Sequence, residues 1–237
     1  MNYKKTAIKI LTECSRLLIG VVFIFSGFVK AVDPVGGAIK IGDYLTSFGL
    51  DMLQPFTVLA SFALSAAEFA MGVCMLLGVY RRYNSFLVLL FMAFMTPLTL
   101  YLALFNPVSD CGCFGDAIVI SNWETFFKNL VLSAAAIMVF MNCGKMFQCF
   151  TYKVYWFVAL FSYFFCIGFA YWNYNHLPVL DFRPYKIGAN IPGLMSIPEG
   201  APEDEYKYTF VYEKEGVKKE FSLDDYPSDD STWTFVE

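Results

Sequence analysis

The residues of this chain best suited to chemistry stand together in the string Asp110-Cys111-Gly112-Cys113-Phe114-Gly115-Asp116. Two cysteines separated by one glycine can close only a tight ring, and a strained disulfide belongs to the labile, catalytic or regulatory kind rather than the structural kind. Cys111 and Cys113 are therefore the candidate catalytic pair. Gly112 permits the tight turn, and Phe114 and Gly115 complete the loop around it. Asp110 and Asp116 flank the thiols and are expected to raise their pKa values, which argues against a constitutively activated nucleophile. Two other readings stay open for the same string: a glycine-rich turn whose cysteines only pack, and half of a metal site. His176 is the one histidine in the chain, so metal catalysis lacks its usual ligands and no metal site is expected.

Composition sets this loop in a membrane. Apolar residues make up 57% of the 237, with 26 Phe and 15 Tyr, and the mean hydropathy of +0.52 lies far above that of a soluble domain. A helix needs about 20 apolar residues to cross a bilayer. Five segments reach or approach that length: Leu11–Val32, Phe56–Tyr80, Phe86–Phe105, Phe126–Met141 and Val154–Trp172. The third and fifth hold no charge and the second holds only Glu68. The first carries Glu13 and Arg16 near its start, where such side chains can reach the interface. The expected fold class is an all-α membrane protein: a four-helix bundle, a fifth transmembrane helix and a small β-containing tail.

Basic residues in the short connections orient the chain. Lys4, Lys5, Lys9 and Arg16 precede or open the first span, Arg81 and Arg82 follow the second, and Lys145 and Lys153 lie between the fourth and fifth. The connection from Asn106 to Trp123 has no Lys or Arg. This asymmetry places the N-terminus in the cytoplasm, and the cysteine loop and the C-terminus outside, where thiols can be oxidised. Cys143 and Cys149 fall on the reducing side. The first span is not read as a cleaved signal peptide, because Lys30, Asp33 and Pro34 follow it instead of a small-x-small site.

Within the second span, Ser61, Ser65, Glu68 and Gly72 form one narrow stripe of small and polar residues. The first span has a matching stripe: Arg16, Gly20, Phe23, Gly27 and Lys30. A carboxyl near mid-membrane costs about 2.5–3.5 kcal/mol on insertion scales, so Glu68 must be protonated, paired or hydrated. Lys30 and Lys128 are the candidate partners. Glu68 is then either a buried contact that fixes the bundle or a proton-relay or ligand-binding group. Between the first two spans, Ile41, Tyr44, Leu45 and Phe48 have the spacing of an amphipathic interfacial helix, with Gly36-Gly37 as a hinge and Gly49 as its end. Thr96-Pro97 is expected to kink the third span. Ser121-Asn122-Trp123-Glu124 reads as a capping box opening the fourth. Cys166, in the fifth span, reads first as a small apolar residue and only second as a third thiol near the loop.

From Leu177 onward the chain has 13 acidic and 6 basic residues, a net charge of −7. Tyr208–Tyr212 and Val217–Leu223 alternate around Glu213-Lys214-Glu215-Gly216, a β-hairpin pattern. The domain reading is 1–145 for the four-helix unit, 146–173 for the fifth helix and 174–237 for the acidic tail. That tail either docks on the bundle or begins a larger domain.

Arg16-x3-Gly20, Phe23-x2-Ser26-Gly27-x2-Lys30 and Glu68 resemble the DoxX superfamily of small four-helix membrane proteins. The CGCFG string, followed by Lys128-Asn129, resembles its methylamine-utilisation branch, MauE. The resemblance covers Arg16 to Met141. It implies a multi-pass protein of the bacterial inner membrane associated with redox maturation outside the cytoplasm, with Lys128 among the residues supporting the thiols. The fifth span and Asp181-Phe182-Arg183-Pro184-Tyr185 are similar to longer relatives whose tails continue into a thioredoxin-like domain.

Three functions follow. The first is thiol–disulfide exchange or disulfide formation on the periplasmic side through Cys111 and Cys113, with a thioredoxin-like or disulfide-containing partner. The second is a non-enzymatic scaffold or assembly factor in which the loop is only a turn. The third is a quinone- or small-molecule-binding subunit of a membrane redox complex. No cofactor is identifiable from residue patterns, a quinone stays open as electron acceptor, and no nucleic-acid partner is expected.

Overall fold

A computed structural model describes residues 2–106, 108, 111–183, 186, 188–192, 209–214, 217–222 and 233–235. Asp110, the turn former Pro107 and Pro184-Tyr185 of the tail lie outside the described residues. The chain divides into two units, Met1–Ile187 and Gly188–Glu237.

The first unit is helical: α1 (Asn2–Val32), α2 (Pro34–Ser47), α3 (Thr57–Leu77), α4 (Arg81–Phe105), α5 (Asn122–Met141) and α6 (Tyr155–Asn175). Among the described residues, five stretches are long and apolar enough to cross a membrane: Lys5–Val32, Asp51–Leu77, Arg81–Phe105, Asn122–Met141 and Tyr152–Asn175. The protein is thus all-α across its membrane part. Local chemistry sets the helix ends. Ser121 and Glu124 form the reciprocal capping box, so α5 starts four residues before Phe126. Gly78, at φ +67°, closes α3 with Val79 N–H donating to the Cys74 carbonyl at 2.9 Å. Pro97 sits inside α4, which continues through it as helix.

The main core is made by α1, α3, α4 and α5 around Ile19, Phe23, Met75, Val88, Met92, Leu132, Ala136 and Val139. A second cluster joins α6 to α1 and α3 through Ala31, Ala66, Cys166 and Ala170. Small residues let α1 and α3 approach closely. A Cβ on Gly27 would stand 2.5 Å from the Phe69 nitrogen and 2.6 Å from the Ser65 oxygen. One on Gly72 would stand 2.6 Å from the Ile24 nitrogen. Both obstacles are backbone, which has nowhere to go.

Residues 34–47 form the expected amphipathic helix, α2, but Gly36-Gly37 does not hinge it. Asp33 caps its first turn by accepting from Gly36 N–H at 2.9 Å, and both glycines lie inside it. Gly37 serves packing instead: a Cβ there would meet Ser61 Oγ at 2.5 Å. The Ser61 hydroxyl donates to the Pro34 carbonyl at 2.9 Å, binding α2 to α3.

The helices define two ends. At the thiol end lie α2, the loop after α4 and the C-termini of α1 and α6. At the other end Arg16 is buried rather than reaching outward, and its Nη1 donates to the carbonyls of Met75 at 3.1 Å and Leu76 at 2.5 Å. Its Nε pairs with Glu13 at 2.7 Å. Arg16 thereby fills carbonyls that the last turn of α3 leaves open.

In the second unit, β1 (Thr209–Lys214) and β2 (Val217–Ser222) pair antiparallel, and β3 (Thr234–Phe235) pairs antiparallel on the other side of β1. The hairpin register sets Lys214 opposite Val217.

Gly27→Val should destabilise the bundle by about 1–3 kcal/mol through overpacking. Gly168→Ala, with nothing within 4 Å of its added carbon, should change little. Thermal unfolding of both variants in one detergent checks the contrast.

Candidate functional site

Glu68 on α3 is 2% exposed, and its carboxylate meets the Lys30 ammonium of α1 at 2.7 and 2.8 Å. Of the two candidate cations, Lys30 forms the ion pair. Lys128, from the second turn of α5, stands 4.1 Å from the Phe114 ring centroid and lines a shared cavity with Glu68. Ser26, one turn before Lys30, brings its hydroxyl within 2.7 Å of Glu68 Oε2 and 2.7 Å of the Cys113 carbonyl oxygen. The ion pair and the cysteine loop therefore form one site.

Two left-handed glycines bend the loop, Gly112 at φ +63° and Gly115 at φ +50°. A side chain is strained in that region, and the Gly115 N–H closes the turn onto the Gly112 carbonyl at 3.1 Å. Tyr44 of α2 donates its hydroxyl to the Cys111 carbonyl at 2.6 Å. Phe114 packs edge-on against Phe25 of α1 at 5.4 Å. At the loop's far end, Asn122 Nδ2 donates to Asn106 Oδ1 at 2.7 Å and to the Val108 carbonyl at 3.0 Å. Cys111 and Cys113, set by these contacts, are 6% and 7% exposed and lie against Leu102, Tyr44, Met95 and Tyr101. The loop belongs to the bundle's polar end, yet its sulfurs are inside.

The sulfurs stand 2.7 Å apart. The Cys111 thiol, donating to Cys113, holds the Cys113 pKa down to about 6; burial opposes this, Lys128 and Lys30 reinforce it, and Glu68 opposes it. The same hydrogen bond pushes Cys111 up, together with its burial. The flanking acids were expected to raise both thiols. For Cys113 the structure reverses that expectation, because the Cys111 thiol donates to it and two lysines from distant helices add to the effect. Asp116 is exposed and borders a different cleft with Asp33 and Arg183.

Two cavities flank the pair. One of about 30 Å³ is lined by Ser26, Lys30, Glu68, Cys113, Lys128 and Asn129, among others. The other, of about 50 Å³, is more apolar, with Ile41, Leu64, Met95 and Leu98 beside Cys111 and Cys113.

The remaining sequence-expected residues fall elsewhere. Ser65 bonds back to the Phe62 carbonyl at 3.0 Å, and Ser61 holds α2. Arg16 lies about 21 Å along α1 from Lys30, at a rise of about 1.5 Å per residue. Cys166 packs with Ala31, Ala66 and Ala170 rather than with the thiol pair. Sequence reasoning had Ser26 only as part of the span-one pattern that carries the family resemblance, and Tyr44 only on the face of an amphipathic helix. Nothing in a lone serine or tyrosine signals that its hydroxyl will meet the carbonyl of a loop cysteine.

Among the described residues, no group of three or more His, Cys, Asp or Glu could hold a metal ion. The arrangement favours the thiolate form of Cys113, beside the Cys111 thiol and near Lys30 and Lys128.

Residues 206–237 match a domain of unknown function (DUF8463). No curated protein and no solved structure matches the chain. Residues 8–142, more than half the sequence and all of α2 to α5 with most of α1, match the family described as methylamine utilisation protein MauE. This membrane protein, with its thiol pair and ion pair inside the matched region, belongs to the MauE family.

Proposed function

We propose that this chain carries out thiol–disulfide exchange outside the cytoplasm, as an accessory that forms or reshuffles disulfides in a partner protein. One observation carries the reading: Cys111 and Cys113 sulfurs 2.7 Å apart, with the Cys113 pKa held down to about 6. In the reduced chain the Cys113 thiolate attacks a partner disulfide. One partner sulfur leaves as thiolate and takes a proton. The Cys111 thiol then loses its proton and attacks Cys113 Sγ, expelling the second partner sulfur. The products are a Cys111–Cys113 disulfide and a partner dithiol, and the reverse sequence makes a disulfide in the partner.

The partner is a disulfide-containing or thioredoxin-like protein, in keeping with the methylamine-utilisation family name. The bilayer surrounds the five helices, and the membrane is the bacterial inner membrane. A quinone is the electron acceptor this reading calls for, since it would accept two electrons from the dithiol, and the apolar cavity beside the sulfurs marks the side from which it would approach.

Burial of both sulfurs favours a second reading, in which the loop is a structural turn of a membrane scaffold. Trapping separates the two. Cys111→Ser should accumulate a mixed disulfide between Cys113 and the partner, because the resolving thiol is gone. Non-reducing electrophoresis of cells quenched in acid detects it. Cys111→Ser/Cys113→Ser should insert normally and lose the redox function; full activity in that double variant leaves only the scaffold.

Orientation is tested separately. Val119, 71% exposed in the loop, should as Val119→Cys be labelled by an impermeant maleimide on intact cells. Cys149, exposed at the opposite end, should react only after permeabilisation. The opposite pattern would place the thiols in the cytoplasm and remove the oxidising environment.

Thiol reactivity supplies the pH test. Alkylation of Cys113 should rise through a midpoint near 6, and Lys128→Met should move that midpoint upward, because a cation favouring the thiolate is lost.

A further inference from the structure

The hydrogens around Glu68 can be counted. Ser26 Oγ carries one hydrogen and lies 2.7 Å from two oxygens, Glu68 Oε2 and the Cys113 carbonyl. Lys30 Nζ donates to the hydroxyl at 3.2 Å and to the carboxylate oxygens at 2.7 and 2.8 Å. With Glu68 ionised, both oxygens facing the hydroxyl can only accept, so one of the 2.7 Å contacts has no hydrogen of its own. In a buried cluster an unmatched contact is costly. A proton on Glu68 Oε2 completes the set: the carboxyl donates to Ser26 Oγ, and Ser26 donates to the Cys113 carbonyl. The cluster has a place for one more proton.

The thiol of Cys113 is positioned to supply it. Cys113, Ser26, Lys30, Glu68 and Lys128 line the same cavity of about 30 Å³, room for about two waters, since one needs roughly 10–15 Å³. We propose that Glu68 is the proton acceptor for the Cys113 thiol, through the cavity that both line, with Ser26 accepting from the protonated carboxyl. The S–H bond breaks, its electron pair stays on sulfur, and the proton ends on the carboxylate. No oxidant or reductant enters the step. Lys30 faces one anion in either state: the carboxylate before transfer, the thiolate after it. This explains why a carboxylate whose charge disfavours the thiolate stands so close to it, since proton transfer removes that charge as the thiolate appears.

The groups facing Glu68 are Lys30 from α1, Lys128 from α5, the Cys113 thiol of the loop and Cys166 from α6. Lys40 of α2 lines the adjoining cavity beside Lys30, and α4 presents the uncharged Phe91, Met92, Met95 and Leu98. The proposal rests on one part of the function above, that Cys113 is the reacting thiol.

The test reads Cys113 directly, in the reduced full chain in lipid nanodiscs. Methyl methanethiosulfonate is the small neutral probe, and mass spectrometry locates the adduct. In the wild type the rate–pH profile at Cys113 bends twice, because thiol and carboxyl share a proton. Glu68→Gln leaves a single bend, and its rate below the midpoint rises about tenfold because the opposing charge is gone. Glu68→Asp restores both bends. Ser26→Ala keeps the ion pair but removes the hydroxyl that accepts from the protonated carboxyl, so it displaces one of the two bends; it decides the question if the glutamine variant does not fold. Profiles of Ser26→Ala and Glu68→Gln that superpose on the wild type overturn the proposal, since a purely structural carboxyl does not titrate with the thiol. If the pair exchanges with no partner while the double bend persists, the exchange function fails and the proton acceptor stands.

Discussion

A carboxylate 2% exposed within an apolar bundle is the constraint from which the rest of this architecture follows. Glu68 needs a cation within hydrogen-bonding distance, and Lys30 supplies it only if α1 and α3 run almost in backbone contact. Gly27 and Gly72 make that approach sterically available. Losing one partner of a buried ion pair costs about 3–5 kcal/mol, so the register of α1 on α3 is strongly set. With that register, Ser26 falls beside both the carboxylate and the Cys113 carbonyl. The thiols are placed as a result of how the charges are buried.

The parts of this arrangement with helical periodicity were legible in the sequence. The stripes through Gly20–Lys30 and Ser61–Gly72 follow from small and polar residues recurring on one face, and Ser121 with Glu124 marks the start of α5. What depended on tertiary proximity was not legible. Lys30 and Lys128 are equally plausible partners for Glu68 on paper, because both lie at the thiol end of their helices. The direction in which the Cys113 thiol moves is hidden for a related reason. Asp110 and Asp116 are visible beside it in the string, whereas the lysines that act on it come from α1 and α5. Gly36-Gly37 suggested a hinge because glycine weakens helices in isolation, but Gly37 lies where only a missing side chain lets α2 rest on Ser61. The burial of both sulfurs needed α2 to be folded over them, which no local pattern specifies.

The fifth membrane-length helix, α6, lies beyond the matched family region. Its small residues Cys166 and Ala170 meet Ala31 and Ala66, Tyr155 packs with Cys74 and Val79, and Asn173 Nδ2 donates to the Ala31 carbonyl at 3.1 Å. It also carries a run of stacked rings, Phe157 on Phe161, Phe161 on Phe165 and Phe165 on Phe169, each pair within 6.5 Å. Phe169 stacks in turn on Phe28 of α1 at 5.3 Å. Rings with two torsions lose little freedom on packing, so α6 braces the α1–α3 pair from the side at low entropic cost.

Arg16 and Lys30 hold the same neighbour at opposite ends: one grips the last carbonyls of α3, the other its mid-helix carboxylate. In mechanical terms α1 and α3 behave as a beam pinned at two points, unable to slide or roll without breaking a buried ionic contact. At the thiol end, α2 and the described residues of the cysteine loop are fastened mainly by neutral hydrogen bonds from Ser61, Tyr44 and Asn122. Uncovering the sulfurs would therefore cost neutral hydrogen bonds, whereas sliding α1 along α3 would cost charged ones.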